Sequence, residues 1–533
     1  MSFLVIIIAI IFSLLATAIM TYVSLILPIG PWIEVIIALL ATMFFRVVCG
    51  YVFSERLKYA IGLTTAAAGI AGIVATVCSF TVPMIYFLEP DFFLQLVAHP
   101  WYMTAIIGGN VLVSGALAFT MTTLFGEPLL VNEQLTFSIG YMVHKIIFAQ
   151  NQLRKAIELC AGMIVGLFYS CMQYFSCIPH VFRGALLFPR FLNFMPPISI
   201  GLDFLPLFVA SGYIAGGLLA IPLAIGVFSK IFLLMPLQGY FFTHESMESF
   251  MIAFGAGMIL QKVLFSFIKM WSNMPEQFFP FIWTKYFSGR IFMRRRRYWL
   301  SISGIFCTLF VFYIYFHYFH FSLWAKLFMI TLTPVFVYQL MVIGGKISLA
   351  PFGRFATFEM LPAFLLFGLN TIQLMLISLF VSLSGAIAVD IMFGNKMAQL
   401  TNINRRQIFW MQLLGLVVSA FVWTYLFTII VQQFSLGSEL IAQRARARAL
   451  LITMDHFDYS LILLGAAYGF IIERASISAL LVFTGLLFPI GYSIMLIAGG
   501  LLTFIAHDKE EWDPFWSGVF AASSLWMVLR SFV

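Results

Sequence analysis

Charge is what this sequence has least of: only 9% of its 533 residues are Asp, Glu, Lys or Arg. A soluble domain carries about 25%, so the chain has too little charge to cover a water-facing surface, and a soluble enzyme is excluded. Cysteine is scarce too. The six, Cys49, Cys78, Cys160, Cys171, Cys177 and Cys307, all stand in apolar segments without a C-x-x-C pair, so they read as buried thiols rather than as a disulfide framework or metal ligands. The nucleotide signature G-x-x-x-x-G-K-[ST] is absent, since Gly344-Gly345-Lys346 lacks the upstream glycine and the following hydroxyl residue. H-E-x-x-H and G-x-S-x-G are absent as well. Without an ATP site or a catalytic constellation, the chain is read as a non-enzyme that needs no cofactor or metal. No Gly/Ser linker interrupts it. Residues 1–533 are taken as one integral membrane domain, with halves of about 1–280 and 298–533 as candidate pseudo-repeats.

What is abundant is apolar: 62% of the residues are hydrophobic and 61 are Phe. Runs such as 3–16 and 480–489 are almost continuously apolar, whereas strands of a membrane barrel would alternate. The fold class expected is all-α, a polytopic bundle of about 14–16 transmembrane helices at roughly 20 residues per span, some of them short or broken. Spans are expected near 3–26, 32–53, 59–88, 100–125, 156–178, 196–217, 219–240, 247–270, 298–320 and 323–345. In the later part they are expected near 357–383, 384–398, 408–434, 458–473, 475–505 and 514–532. The N-terminus has no basic region and no A-x-A cleavage site, so the first span is expected to be retained. Residues 135–150 form a short apolar stretch carrying His144 and Lys145, which suggests a broken or re-entrant helix.

The formal net charge of +8 points to orientation, not to nucleic acid. Arg56 and Lys58 follow the second span, Glu89 and Asp91 follow the third, and basic clusters recur at Arg294-Arg295-Arg296-Arg297, at Asn404-Arg405-Arg406 and at Arg444, Arg446 and Arg448. The positive-inside rule then places the N-terminus and these loops in the cytoplasm, in a multi-pass protein of the cell (inner) membrane. Arg46, Lys230, Lys262, Lys326 and Glu473-Arg474 sit near span ends, where snorkelling or pairing accounts for them. His317 and His320 stand among Phe and Tyr and read as part of an aromatic belt.

Acids inside spans ask for more, because a charge at the bilayer centre costs at least about 2.5–3.5 kcal/mol. Asp390 has Gly385 upstream and Gly394, Asn395 and Lys396 soon after, a pattern that fits a discontinuous helix at a substrate or ion site as well as it fits a structural role. Asp203 has Pro206, Gly212, Gly216 and Gly217 after it, with interfacial capping as its rival. Glu359, then Lys145 beside His144, complete the charged candidates.

Several stretches resemble the oligopeptide transporter family, which includes the yellow-stripe-like carriers of metal chelates. Leu135-Thr136-Phe137-Ser138-Ile139-Gly140 stands where that family has an L-P-F-P-S-G-like motif, without its prolines. The pattern of Asp203, Pro206, Gly212 and Gly216 is similar to the family's aspartate, proline and glycine pattern. Segment 345–353 looks like G-E-T-x-x-x-P-x-G with Lys346 at the acidic place. Residues 386–415 resemble the aspartate-rich stretch ending in a basic loop, and 488–500 the closing glycine-rich helix. Residues 64–69 echo an early segment with Leu63 in place of its glutamine, and Ala522-Ser523 replaces a late Gly-Glu pair.

The resemblance, to a divergent prokaryotic-type member, implies about 16 helices and proton-coupled uptake of small oligopeptides or peptide-like chelates. Asp390 is then the expected coupling residue, since a buried carboxyl can load and release a proton. Asp203, Glu359, Lys145 and Asn395 are further substrate or ion candidates, and Gly140, Pro206, Gly212, Gly216, Gly385 and Gly394 are candidate hinge and cavity positions. Two rivals remain. A membrane enzyme on a lipid-linked substrate would gather Asp455 and Asp458 with Glu510 or Glu511, and a passive channel or scramblase would move solute without coupling.

Overall fold

A computed structural model describes residues 3–26, 33–47, 55–132, 137, 139–140, 143–144, 152–174, 181–186, 198–203, 206–242, 247, 250–251, 253–258, 260–262, 265, 295–347, 352–433, 436, 442–452, 459–487, 490–505 and 509–530. The protein is an all-α polytopic bundle, and among the described residues seven helices are long and apolar enough to cross a membrane. Two short strands form the exception. The chain divides into two compact units, Met1–Thr17, Gly62–Lys145 and Val263–Tyr425 in the first, and Ala18–Ile61, Ile146–Lys262 and Leu426–Val533 in the second.

In chain order the first helices are α1 (Phe3–Ile26), α2 (Ile33–Val47), α3 (Glu55–Thr81), α4 (Met84–Leu88), α5 (Pro90–Ala98) and α6 (Pro100–Glu127). Proline opens both α5 and α6, the position at which its missing N–H costs nothing. One wide helical turn, Pro128–Asn132, continues α6. Later in the first unit come α7 (Arg295–Tyr318), α8 (Leu323–Ile347), α9 (Phe352–Phe367) and α10 (Thr371–Thr401), followed by α11 (Arg405–Gln433), whose first part belongs to this unit. Helix α10 packs against α4, α6, α8 and α9. It is the axis of the unit: 94% of its apolar window is buried. Its 31 residues extend about 46 Å at 1.5 Å per residue, more than a hydrocarbon core of about 30 Å.

The structure moves one expected boundary. Residues 357–383 are not one span, because α9 ends at Phe367 and α10 begins at Thr371. Gly368 takes φ 57°. The Asn370 side chain accepts from Gln373 N–H, and the Gln373 side chain accepts in return from Asn370 N–H, a capping box that starts α10 firmly. Nor does a break fall between 383 and 384. Helix α10 runs unbroken past Asp390, so the discontinuous helix expected there does not form.

In the second unit, α12 (Gln152–Tyr174) precedes strands β1 (Val181–Leu186) and β2 (Ile198–Asp203), which pair antiparallel from Val181↔Asp203 to Leu186↔Ile198. Then follow α13 (Pro206–Ala215), α14 (Gly217–Ser229) with the wide turn Lys230–Leu234, and α15 (Met235–Phe241). The unit closes with α16 (Gln443–Ile452), α17 (Tyr459–Arg474), α18 (Ala479–Leu487), α19 (Ile490–Ile505) and α20 (Lys509–Arg530). Its main pairings are α12 with α20, α13 with α19 and α14 with α18. Small residues sit at these seams. Without a hydrophobic drive between helices, close backbone approach has to supply the attraction.

The expected helix over 196–217 is corrected here. Residues 198–203 are a strand, and the helix begins only at Pro206. Proline cannot donate an N–H and disfavours helical geometry in the residue before it, so it serves as the first residue of α13 and not as an interior one.

Candidate functional site

The acids expected to matter separate into two environments. Asp203 closes β2, where its backbone pairs with Val181. It belongs to a hairpin next to α13 and not to a broken helix. Asp390 and Glu359 belong to the first unit and are buried, at 3% and 0% exposure. Asp390 is four residues past the middle of α10, about 6 Å along the axis.

Helical periodicity places Asp390 in a row with Gly394 and Met397, at i+4 and i+7. Ile408 and Gln412 of α11 come up against Gly394, and the main chain around Gly140 lies against Phe393, Lys396 and Met397. Asp390 therefore lies between the side of α10 covered by α11 and the side covered by 137–140. Phe137 belongs to that cover. Its N–H donates to the Gly345 carbonyl at 3.0 Å, and its ring meets Phe393 edge-on at 6.0 Å. A Cβ at Gly140 would stand 3.1 Å from the Lys396 Cβ and closer still to the Phe393 carbonyl, so glycine at 140 is what lets this segment touch α10. Gly385 faces Leu340 of α8. Both glycines of α10 stand at contacts with neighbouring helices.

Glu359 is held at the middle of α9 opposite α8. Thr333 Oγ1 donates to its Oε1 at 2.7 Å, while Oε2 is buried without a hydrogen-bond partner among the described residues. Helix α6 adds polar groups to the same interior. Asn110 Nδ2 donates to the Leu376 carbonyl at 3.1 Å and Ser114 Oγ to the Phe380 carbonyl at 3.4 Å. Ser382 and Ser384 are fully buried on α10.

Toward the C-terminal end of α10 a cavity of about 330 Å³ opens between α6, α10 and α11. Its polar wall consists of Thr122 and Glu127 from α6, Asn395 from α10, and Arg405, Arg406 and Gln412 from α11. Phe119, Leu130, Ile391 and Phe409 supply apolar lining. Arg405 and Arg406 are exposed at the mouth, whereas Gln412 is 1% exposed and its Nε2 has no hydrogen-bond partner among the described residues. Asn404 caps the helix that carries them, its Oδ1 accepting from Arg406 N–H at 2.9 Å.

Of the other candidates, Pro206 opens α13, Gly212 rests on Leu496 of α19, and Gly216 takes φ 63° at the break between α13 and α14. Lys145, Asp455 and Asp458 lie outside the described residues, as do the side chains of Glu510 and Glu511. Lys262 pairs with Glu473. Lys326 stands 4.6 Å from the Tyr313 ring, which stacks on His317, in keeping with an aromatic belt.

Residues 296–524 match the family model described as OPT oligopeptide transporter protein. By similarity this stretch is an oligopeptide-transporter-like domain. The domain begins in the first turn of α7 and ends within α20. It takes in Glu359, Asp390, Asn395, Arg405, Arg406 and Gln412, whereas Thr122 and Glu127 come from α6, ahead of it. No curated protein matches the chain. With seven membrane-length helices among the described residues, the match supports a multi-pass membrane protein of peptide-transport type.

Sequence reasoning passed over three residues of the site. Thr333 is an ordinary hydroxyl in an apolar helix, and its role depends on Glu359, 26 positions away. Gln412 carries no motif. Glu127 is in a polar loop by composition, and its place opposite Arg405 and Arg406 comes from packing. A polar residue within an apolar run was the one signal available for Gln412.

Proposed function

We propose that this chain is a secondary active transporter that takes up small oligopeptides or peptide-like metal chelates across the inner membrane, with protons as the coupling ion and the N-terminus in the cytoplasm. The supporting observation is the pair of carboxyl groups enclosed in the first unit, Asp390 near the middle of the central helix and Glu359 with one hydroxyl donor and one bare oxygen. A bare oxygen at 0% exposure suits a neutral acid, because a charged one would forfeit its hydration for a single hydrogen bond. Proton loading and release at Asp390 and Glu359 would bias the packing of α8, α9 and α10 between two arrangements, exposing the solute path alternately to each side.

The test is uptake of labelled short peptides and of iron or nickel chelates by purified protein in liposomes, with and without an imposed pH gradient. Accumulation above the external concentration only with the gradient is expected. In Asp390→Asn, binding is retained and accumulation is lost. Equal uptake with and without the gradient would make the protein a passive channel instead.

A further inference from the structure

We propose that the cavity between α6, α10 and α11 is a receptor for the two charged ends of a short zwitterionic solute, its carboxylate held on the α11 side and its ammonium on the α6 side. This rests on the transporter reading and adds to it the location and the polarity of one binding site.

Three independent features carry the argument. The first is the buried amide of Gln412: the residue lines the cavity at 1% exposure, and its Nε2, packed against Gly394, has no hydrogen-bond partner among the described residues. A buried donor left unmade costs about 1–3 kcal/mol, and a turn of this side chain from Gly394 toward an anionic oxygen in the cavity would satisfy it. The second is the grouping of charge. Arg405 and Arg406 stand on the first turn of α11, where the helix N-terminus also favours an anion. Glu127 faces the same space from the end of α6. A purely anionic ligand would meet the like charge of Glu127 on one wall, whereas a solute with both charges matches both walls. The third is size. At about 330 Å³ the cavity is at the small end of ligand sites, which run from about 300 to 1,000 Å³, and it takes a short solute rather than a long chain.

Anionic oxygens reach such a place from a dissolved peptide or from a lipid headgroup, so both are tested. Full-length protein in detergent without added lipid, and in nanodiscs containing phosphatidylglycerol, is titrated with trialanine, trialanine amide and N-acetyl-trialanine, and stabilisation against heat is followed. Trialanine is expected to bind in both settings, with each blocked peptide at least about tenfold weaker. Gln412→Leu and, separately, the exposed Arg406→Ala should each weaken trialanine by about tenfold while changing the amide much less. Equal affinity for trialanine and its amide, or unchanged affinity in both variants, overturns the proposal. So does protection of Gln412 by phosphatidylglycerol with no response to trialanine, which would make the cavity a lipid site. Failure here is separable from failure of the transport reading: gradient-driven accumulation that both variants leave intact defeats the cavity alone. Binding as expected with no accumulation by wild-type protein defeats proton-driven transport alone.

Discussion

The protonation of Glu359 can be decided by removing the one hydroxyl that touches it. Thr333→Val keeps the shape of the α8 side chain and deletes the 2.7 Å donor to Oε1. With Glu359 at 0% exposure and Oε2 already bare, no water replaces the lost bond. If the acid is neutral, the loss is that of an ordinary buried hydrogen bond, about 1 kcal/mol and at most about 3. If it is ionised, the substitution strands a buried charge, at about 3–5 kcal/mol. Glu359→Gln separates the cases further, because the amide keeps an acceptor toward Thr333 and carries no charge. For a neutral acid Thr333→Val should cost about 1 kcal/mol in both backgrounds, a coupling near zero in a double-mutant cycle. Equilibrium unfolding in detergent micelles, followed by tryptophan fluorescence, measures all four variants. A cost above about 3 kcal/mol for Thr333→Val that falls to about 1 kcal/mol in the Glu359→Gln background would show an ionised Glu359 and refute the reasoning. In liposomes Glu359→Gln should exchange solute at equilibrium but not accumulate it, and wild-type accumulation would remove Glu359 from the coupling path.

Further outcomes follow from the packing. Asn370→Ala removes the capping side chain of α10 and should cost about 1 kcal/mol of stability, measured in the same unfolding assay; Asn370→Asp should restore most of it. Gly212→Ala should gain about 1 kcal/mol in helix propensity yet lose about 1–3 by driving a methyl into the Leu496 carbonyl of α19, for a net loss of up to about 2 kcal/mol. Gly239, with nothing within 4 Å, is the matched control: Gly239→Ala should be neutral or stabilising. In intact protein Cys307, which is exposed, should react with a membrane-permeant maleimide, while the fully buried Cys78 should react only on unfolding.

What the sequence made legible followed from the bilayer. Helix α1 coincides with the expected 3–26, and α6 lies within two residues of the expected 100–125, because each is an apolar run ended by proline or charge. The buried acids were visible for the same reason, as rare charges within such runs. Breaks inside apolar runs were harder. The Gly368–Asn370 turn sits between two apolar stretches and is marked only by Asn370 and Gln373, three residues apart. The strand before Pro206 was hidden because Ile198, Ile200 and Leu202 suit a membrane helix by hydropathy as well as they suit a strand. Partners across helices, such as Thr333 for Glu359, follow from which helix sits beside which, and in a bundle whose helices are almost all apolar nothing in one segment names its neighbour.

With so little charge, the contacts that distinguish one helix neighbour from another must come from shape. The phenylalanines take part of that work beyond contact with lipid. On α7, Phe312 and Phe316 lie 4.6 Å apart, and both meet Phe380 of α10, at 5.4 and 5.3 Å. Phe321 closes on Phe316 edge-on at 5.1 Å. Such pairs are worth about 0.5–1.5 kcal/mol each beyond the area they bury, and they are directional where a leucine contact is not. At the opposite extreme of size, Gly385 admits Leu340 to the same central helix. Rings fix α7 on one side of α10 and a glycine brings α8 onto another. The central helix is thus located by bulk and by gaps.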